Sequence, residues 1–309
     1  MSRFIFNLII LPLSRLPLWI LYGLSNLLYA LFLSVWPYRK RVIIENLKHS
    51  FPEKSEQEIR KIQRKYYRHL ADLLAEGIKN LSIKKDELLS RIVVENIEIM
   101  EQLMSDKRNI LLVGGHYGNW EWLITAQALL FKQHAIGLGK PLSNSTFDQK
   151  INSLRGRFGM DIVHAGNYKS YIEKKYKNGF AMLTLSDQSP GDSSKSFWTK
   201  FLNQQTAVLY GAEQIARKYD LSIVFFELNK TKRGYYNLNL NLICENPKTM
   251  GYGQITELHT KLLEQQILNK PEYWLWSHKR WKREVPTNLV ELMAEHRNNF
   301  ENQQQKTSH

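Results

Sequence analysis

A single cysteine, Cys244, in 309 residues excludes a disulfide framework and any zinc site built on thiolates. Acidic side chains are scarce beside basic ones. The 29 Asp and Glu against 43 Lys and Arg leave a formal net charge of +14. Such a balance implies an acidic partner, whether anionic lipid, acidic protein or nucleic acid. No zinc finger, RNA-recognition motif or heptad-bearing basic region accompanies the charge, so nucleic acid is not the expected partner. There is no Gly-x-Ser-x-Gly nucleophile elbow. There is also no phosphate-binding Gly-rich loop and no metal-ligand cluster, so no metal, nucleotide or other cofactor is expected. Internal repeats and low-complexity linkers are missing too. The length suits one large α/β domain with an appendage.

Only residues 4 to 36 are strongly apolar, and Arg15 divides them. Leu16 to Trp36 carries no charge and is long enough to cross a bilayer as a helix. Pro17, Gly23, Ser25, Asn26 and Ser34 make it moderately apolar, and a buried helix of a soluble domain is the alternative. Trp19 and Trp36 stand near its ends, as interfacial anchors do. A signal peptide fits less well, because the apolar part is too long and lacks a small-residue cleavage site. Arg39-Lys40-Arg41 follow the segment, against Arg3 before it, so the positive-inside bias places the bulk of the chain in the cytoplasm. Residues 1–41 are thus expected to be an N-terminal membrane anchor helix on a domain of residues 42–296. Residues 37–52, ending at Phe51-Pro52, are basic and amphipathic, either a collar on the membrane surface or a helix packed on the domain. Ser55 to Glu58 is a capping box that opens a helix to about Asn80. Its Arg60, Lys61, Arg64, Lys65 and Arg68 form the outer face, ordinarily a solvated one.

Beyond this helix, short apolar runs alternate with helical patterns. Strands are expected at 92–94, 110–113, 134–137, 161–163, 180–185 and 223–228. Helices are expected between them, at 97–104, 119–131, 146–158, 168–177 and 208–219. This alternation predicts a mainly parallel central sheet with helices on both faces. Tyr236 to Ile243 alternates after a polar turn at Gly234, which predicts a closing hairpin at a sheet edge. Ile255 to Leu268 reads as a helix ended by Pro271. The polar tail, residues 297–309, is expected to be disordered.

The most informative stretch is Asn109 to Glu121. Its apolar run ends in Gly114-Gly115, which permit a tight exit from a strand. His116 follows in a loop, Asn119 is a good N-cap, and Glu121 falls in the first helical turn. From the loop, the imidazole is within reach of a carboxylate that turns back from the helix. An ionised Glu121 would fix the His116 tautomer and stabilise imidazolium, as a general base requires. The plainer alternative is a structural histidine and a carboxylate that complements the helix dipole. Asp187 follows a second strand, so both residues can line one mouth at the carboxyl ends of the sheet. Arg155 and Arg157 end an intervening helix, where guanidinium groups suit phosphate or an oxyanion. A solvated basic terminus is the alternative there, and Asp187 can equally cap a turn.

Gly114-Gly-His-Tyr-Gly-Asn-Trp-Glu121 resembles the signature of the late acyltransferases of lipid A biosynthesis, within the His-x4-Asp/Glu glycerolipid acyltransferases. Asn46 to Phe51-Pro52, Arg155-Gly-Arg157-Phe-Gly159, Asp187-Gln188 and Pro271 to Lys282 also resemble that family's motifs, in order. The resemblance implies transfer of a fatty acyl chain from a thioester on acyl carrier protein to a hydroxyl of an anionic glycolipid, a lipid A precursor. It implies His116 and Glu121 as catalytic residues, with Arg155, Asp187, Gly115 and Asn119 for substrate and oxyanion. It also implies a protein of the inner membrane. Phe201-Leu202-Asn203 departs from the family's Phe-Phe-Gly, and Lys279 stands where arginine is usual. Two further readings stand beside it. One is the same mechanism acting on a lysophospholipid or lyso-aminolipid, and the other a non-catalytic basic protein that binds membrane or nucleic acid.

Overall fold

The computed structural model describes residues 6–141 and 144–307. Arg3, which entered the orientation argument, lies outside them. The described residues hold nine strands, seven of them at the expected apolar runs: β1 Ile92–Val94, β2 Ile110–Gly114, β3 His134–Gly139, β4 Asp161–His164, β5 Phe180–Leu185, β6 Phe197–Phe201, β7 Gln204–Val208, β8 Ser222–Lys232 and β9 Tyr235–Cys244. Seven of them make one sheet in the order β1-β9-β8-β2-β5-β3-β4. Every neighbouring pair is parallel except β8 with β9. The central strand β2 is buried along its whole length. Leu111 and Val113 face one core and Ile110 and Leu112 the other, as a parallel strand covered on both faces requires.

The register of β2 on β5 positions the site. Gly114 lies opposite Leu185. Two residues further along each chain, His116 and Asp187 therefore leave the sheet side by side at its carboxyl end.

The main helices are α1 Leu18–Leu33, α2 Lys40–Ser50, α3 Glu56–Lys79, α4 Trp120–Leu130, α5 Ser145–Arg155, α6 Gln254–Asn269 and α7 Leu289–Thr307. Both halves of the capping box form at the start of α3, where Ser55 accepts from the Glu58 amide and Glu58 from the Ser55 amide. On the helix α1, Leu18, Leu21, Ser25 and Phe32 are buried, while Trp19, Leu24, Leu27 and Leu31 are exposed. Its buried side meets α3 through polar contacts as well. The Ser25 hydroxyl donates to Asp72 Oδ1 at 2.8 Å, and the Tyr22 hydroxyl donates to Glu76 Oε1 at 2.8 Å. In α2, Ile43, Asn46 and Leu47 are buried. The Asn46 amide donates to the carbonyls of Trp276 and His278, both at 2.9 Å. The basic run is therefore a helix packed on the domain at its inner side.

The structure departs from expectation in five places, one of them the helix expected at 168–177, which is a single turn, Lys169–Ile172. The apolar segment is broken: α1 has 16 residues, about 24 Å at 1.5 Å per residue, short of the ~30 Å hydrocarbon layer. Among the described residues no single helix is long and apolar enough to cross a membrane. The preceding stretch Phe6–Ser14 pairs with α1 across a bend of 118°, at Pro17, which lacks an amide proton. The hairpin β8–β9 is not at the edge, because β1 adds outside β9 in parallel, with Ile92 opposite Tyr236. An additional two-stranded hairpin, β6–β7, turns at Leu202 and Asn203, whose φ angles are 49° and 65°. Tight hairpin turns need such left-handed backbone, which Asn tolerates and Leu resists. Finally, the polar C-terminal stretch is helical through Thr307. Phe300 holds it, with its ring 5.6 Å from Tyr252 and 4.4 Å from the Arg217 guanidinium.

Candidate active site

Gly115 and Gly118 shape the loop that carries His116. A side chain at Gly115 would meet Leu263 at 2.7 Å and Asp187 Oδ2 at 3.1 Å. Gly118 has φ +61° and lies so close to the Leu228 carbonyl that a Cβ would sit 2.5 Å from its oxygen. The loop is thus pressed against both the carboxylate and strand β8, an approach only glycine permits.

Asp187 is buried and takes donors from two directions. The His116 amide donates to Oδ2 at 2.8 Å, His116 Nδ1 lies 2.6 Å from Oδ1, and the Trp274 indole donates to Oδ2 at 2.8 Å. Burial works against the charge on Asp187. The His116 charge, its two hydrogen bonds and the Trp274 indole outweigh burial and hold the carboxyl at about 2. An ionised carboxylate only accepts, so the proton of the neutral imidazole belongs on Nδ1. The Nε2 lone pair then points away from Asp187, and Gln188 Nε2 donates to it at 3.2 Å. The Trp120 ring stands edge-on to the imidazole, 5.1 Å between centroids. The His116 side chain is 15% exposed.

The other expected residues are placed differently. Glu121 does lie in the first turn of α4, but it faces Arg155 and not His116. The guanidinium grips both carboxylate oxygens, at 3.0 and 2.5 Å. Burial opposes the Arg155 charge, and the Glu121 carboxylate more than offsets it. Arg157 donates elsewhere, to the Ile83 carbonyl at 2.8 Å. Asn119 is 2% exposed. Its Oδ1 caps α4 through the Trp122 amide, and its Nδ2 donates to Glu76 Oε2 at 2.6 Å. Both of its polar atoms thus hold the fold, which corrects its expected place among substrate groups. The loop amides are also engaged. His116 donates to Asp187, Tyr117 to the Gly115 carbonyl at 2.8 Å and Gly118 to the Tyr273 carbonyl at 3.1 Å. These three amides are therefore already engaged within the fold.

Three further side chains belong to the site without a local sequence signal: Gln188 on Nε2, Trp274 on Asp187, and His278. The Ser189 amide donates to His278 Nε2 at 3.2 Å. Burial lowers His278 to about 4, so it sits neutral as an acceptor. Only the order of motifs along the chain, with Asp187-Gln188 and the Trp-rich segment both prominent, hinted at these meetings. No group of His, Cys, Asp and Glu among the described residues is arranged to hold a metal.

A histidine held by a buried carboxylate at the mouth of a parallel sheet has the geometry of a general base. Residues 2–283 match the family of bacterial lipid A biosynthesis acyltransferases, and the chain belongs to that family. It is 27% identical over 270 residues to the lipid A biosynthesis lauroyltransferase of Escherichia coli K12, covering 87% of each chain. It is 22% identical over 248 residues to the lipid A biosynthesis palmitoleoyltransferase of the same strain, covering 79% of each, and similarly to a lipid A biosynthesis acyltransferase of Shigella flexneri. The chain is an acyltransferase, which displaces the non-catalytic reading.

The Asp187 carboxyl is depressed from its ordinary 3.8 to about 2. Its charge therefore stabilises the fold fully above about pH 4, and that contribution is lost as pH falls toward 2. Replacing Asp187 by Asn should lower stability at neutral pH. The gap to the unmodified protein should narrow between pH 4 and 2 by on the order of 2 kcal/mol. Denaturant unfolding across that range measures it, and a gap that ignores pH would mean the charge itself is not what the site holds.

Proposed function

We propose that this acyltransferase moves a fatty acyl chain from a thioester of acyl carrier protein to a hydroxyl of a lipid A precursor, with His116 as base. The observation that carries the reading is the His116–Asp187 pair, which leaves the Nε2 lone pair pointing away from the carboxylate on a partly exposed ring. Nε2 takes the proton of the acceptor hydroxyl as its oxygen attacks the thioester carbonyl. Asp187 stabilises the imidazolium that forms. The tetrahedral oxyanion collapses, the C–S bond breaks, and the imidazolium returns its proton to the departing thiolate. Gln188 blocks Nε2 in the resting site. Displaced by the hydroxyl, its amide becomes a donor for the oxyanion, the role that the engaged loop amides do not fill. Arg155, held rigid by Glu121, supplies a fixed cation for an anionic part of a substrate.

An apolar groove supports the reading. It encloses about 470 Å³ between Leu28, Phe32 and Trp36 on one side and Leu70, Leu74 and Leu275 on the other. His278 also lines it and accepts from the amide of Ser189, next in the chain to Gln188, so an acyl chain seated there runs along a residue tied to the site. The exposed apolar side of α1 supports attachment to the cytoplasmic face of the inner membrane, with the helix embedded in one leaflet.

The test is turnover of purified protein with an acyl thioester and a hydroxyl acceptor. His116→Ala should abolish transfer, and Asp187→Asn should lower kcat by ~10² to 10⁴-fold, the range of a positioned acid-base group. Glu121→Gln should fall short of that loss, because it leaves both bonds of His116 in place. Near-normal turnover of His116→Ala would contradict the mechanism. Intact lipid A acylation in cells lacking the protein, with a phospholipid or aminolipid lost instead, would move the acceptor to another lyso-lipid. The protein should also stay with membranes through a high-salt wash, since apolar burial is not screened. Release by salt alone would show a purely electrostatic attachment.

A further inference from the structure

The charged outer side of α3 is not an ordinary solvated face. With Tyr29 of α1 and Tyr273 it encloses a groove of about 960 Å³, near the upper end of the ~300–1,000 Å³ typical of small-molecule sites. Arg60, Lys61, Arg64, Lys65 and Arg68 line it in succession. Spacings of four residues bring Arg60 to Arg64, Lys61 to Lys65 and Arg64 to Arg68. Like charges at that spacing each destabilise a helix by about 0.2–0.5 kcal/mol. Internal partners relieve only some of them. Arg60 meets Glu56 at 3.5 Å, Lys65 meets Glu272 at 3.2 Å, and Arg68 stacks on Tyr29 at 4.0 Å. Lys61 and Arg64 make no ion pair among the described residues, and both are exposed. Glu58 and Glu272 also line the groove, but the five Lys and Arg side chains of α3 outnumber them, and this surplus of positive charge fits an anionic occupant.

Two placements say what kind. Tyr29, on the groove wall, belongs to α1. Arg60 and Arg64, which line the groove, also line an adjoining hollow with Phe32 and Leu33 of that helix, and Leu33 is 44% exposed. The groove therefore adjoins the apolar helix proposed to enter the membrane. At its floor, the Tyr273 carbonyl accepts the Gly118 amide of the His116 loop. The Tyr273 ring meets buried His69, which also lines the groove and whose ring nitrogens lack a well-formed hydrogen bond. An occupant would thus bridge the membrane side of the protein and the back of the catalytic loop. A protein partner needs a broad face, about 800 Å² on each side, whereas a concave cationic groove beside an apolar surface suits a phosphorylated headgroup whose chains remain in the bilayer.

We propose that this groove binds the phosphate of an anionic membrane lipid, and that this lipid is the acceptor acylated at His116. Lys61 and Arg64 are the cations that meet the phosphate. The second clause rests on the function proposed above; the first does not.

The test uses full-length protein in neutral detergent, with Lys61→Glu/Arg64→Glu and the milder Lys61→Gln/Arg64→Gln as variants. Calorimetric binding of dihexanoyl phosphatidic acid should be tighter than that of dihexanoyl phosphatidylcholine, and weaker by about tenfold or more in the charge-reversed variant, the size of losing charge-assisted hydrogen bonds. In turnover, the KM for a phosphorylated glycolipid acceptor should rise by a similar factor, with kcat and the KM for acyl carrier protein held. Equal binding by both variants and the unmodified protein would overturn the proposal. So would inorganic phosphate binding as tightly as phosphatidic acid, or a rise confined to the KM for acyl carrier protein, which would make the groove a carrier-protein dock. If the unmodified protein transfers no acyl group, the proposed function fails while the phosphatidic acid comparison still reads the groove.

Discussion

The Asp187 carboxylate is the contact on which the site depends. A buried charge without donors is costly, and this one accepts from the His116 amide, the His116 ring and the Trp274 indole. Those bonds tie together the end of β2, the end of β5 and the C-terminal Trp segment, three parts of the chain far apart in sequence. They also fix the imidazole in position and tautomer before any substrate arrives, and such preorganisation is what makes an acid-base group effective. The constraint reaches outward. Gly115 is required because a side chain there would run into Asp187 Oδ2 and Leu263. Trp274 in turn lies against Trp276 at 4.7 Å, and the Trp276 carbonyl is held by Asn46 of α2.

A second buried carboxylate serves the scaffold. Glu76 takes hydroxyl donors from Tyr22 and Tyr236 and the amide of Asn119, while its backbone carbonyl takes the Trp122 indole. Burial raises its pKa, and Lys230 with these donors opposes the rise. The apolar helix α1, the long helix α3, strand β9 and the start of α4 meet at this one side chain. The apolar segment is thereby an integral layer of the fold, joined through buried polar bonds to the helix that follows the His116 loop. Residues of α1 and α3 line both the apolar groove and the cationic groove.

The alternation of apolar strands with helices was legible because each run is local and its period shows in the sequence. So was the place of His116, between a strand and an N-cap. Its partner was not. Glu121 lies five residues away and looked the natural choice, whereas Asp187 lies 71 residues away and is brought near only by the register of two parallel strands. No local pattern encodes that register. The same reason hides the pairing of β1 with β9, which turned an expected edge into an interior strand. Asn119 was read correctly as a cap, but its second polar group was assigned to substrate because the buried Glu76 was invisible from sequence. The break at Pro17 was visible as a residue, yet its effect on span length follows only once α1 is seen to end at Leu33.

The central claim is that Asp187, and not Glu121, holds His116 with its proton on Nδ1. The most direct measurement is the ¹⁵N chemical-shift pair of the His116 imidazole in selectively labelled protein at a pH where the ring is neutral. The account predicts a protonated Nδ1 and an unprotonated Nε2, a pattern unchanged in Glu121→Gln and disturbed in Asp187→Asn. A proton on Nε2, or a tautomer that shifts with Glu121→Gln and ignores Asp187→Asn, would contradict it.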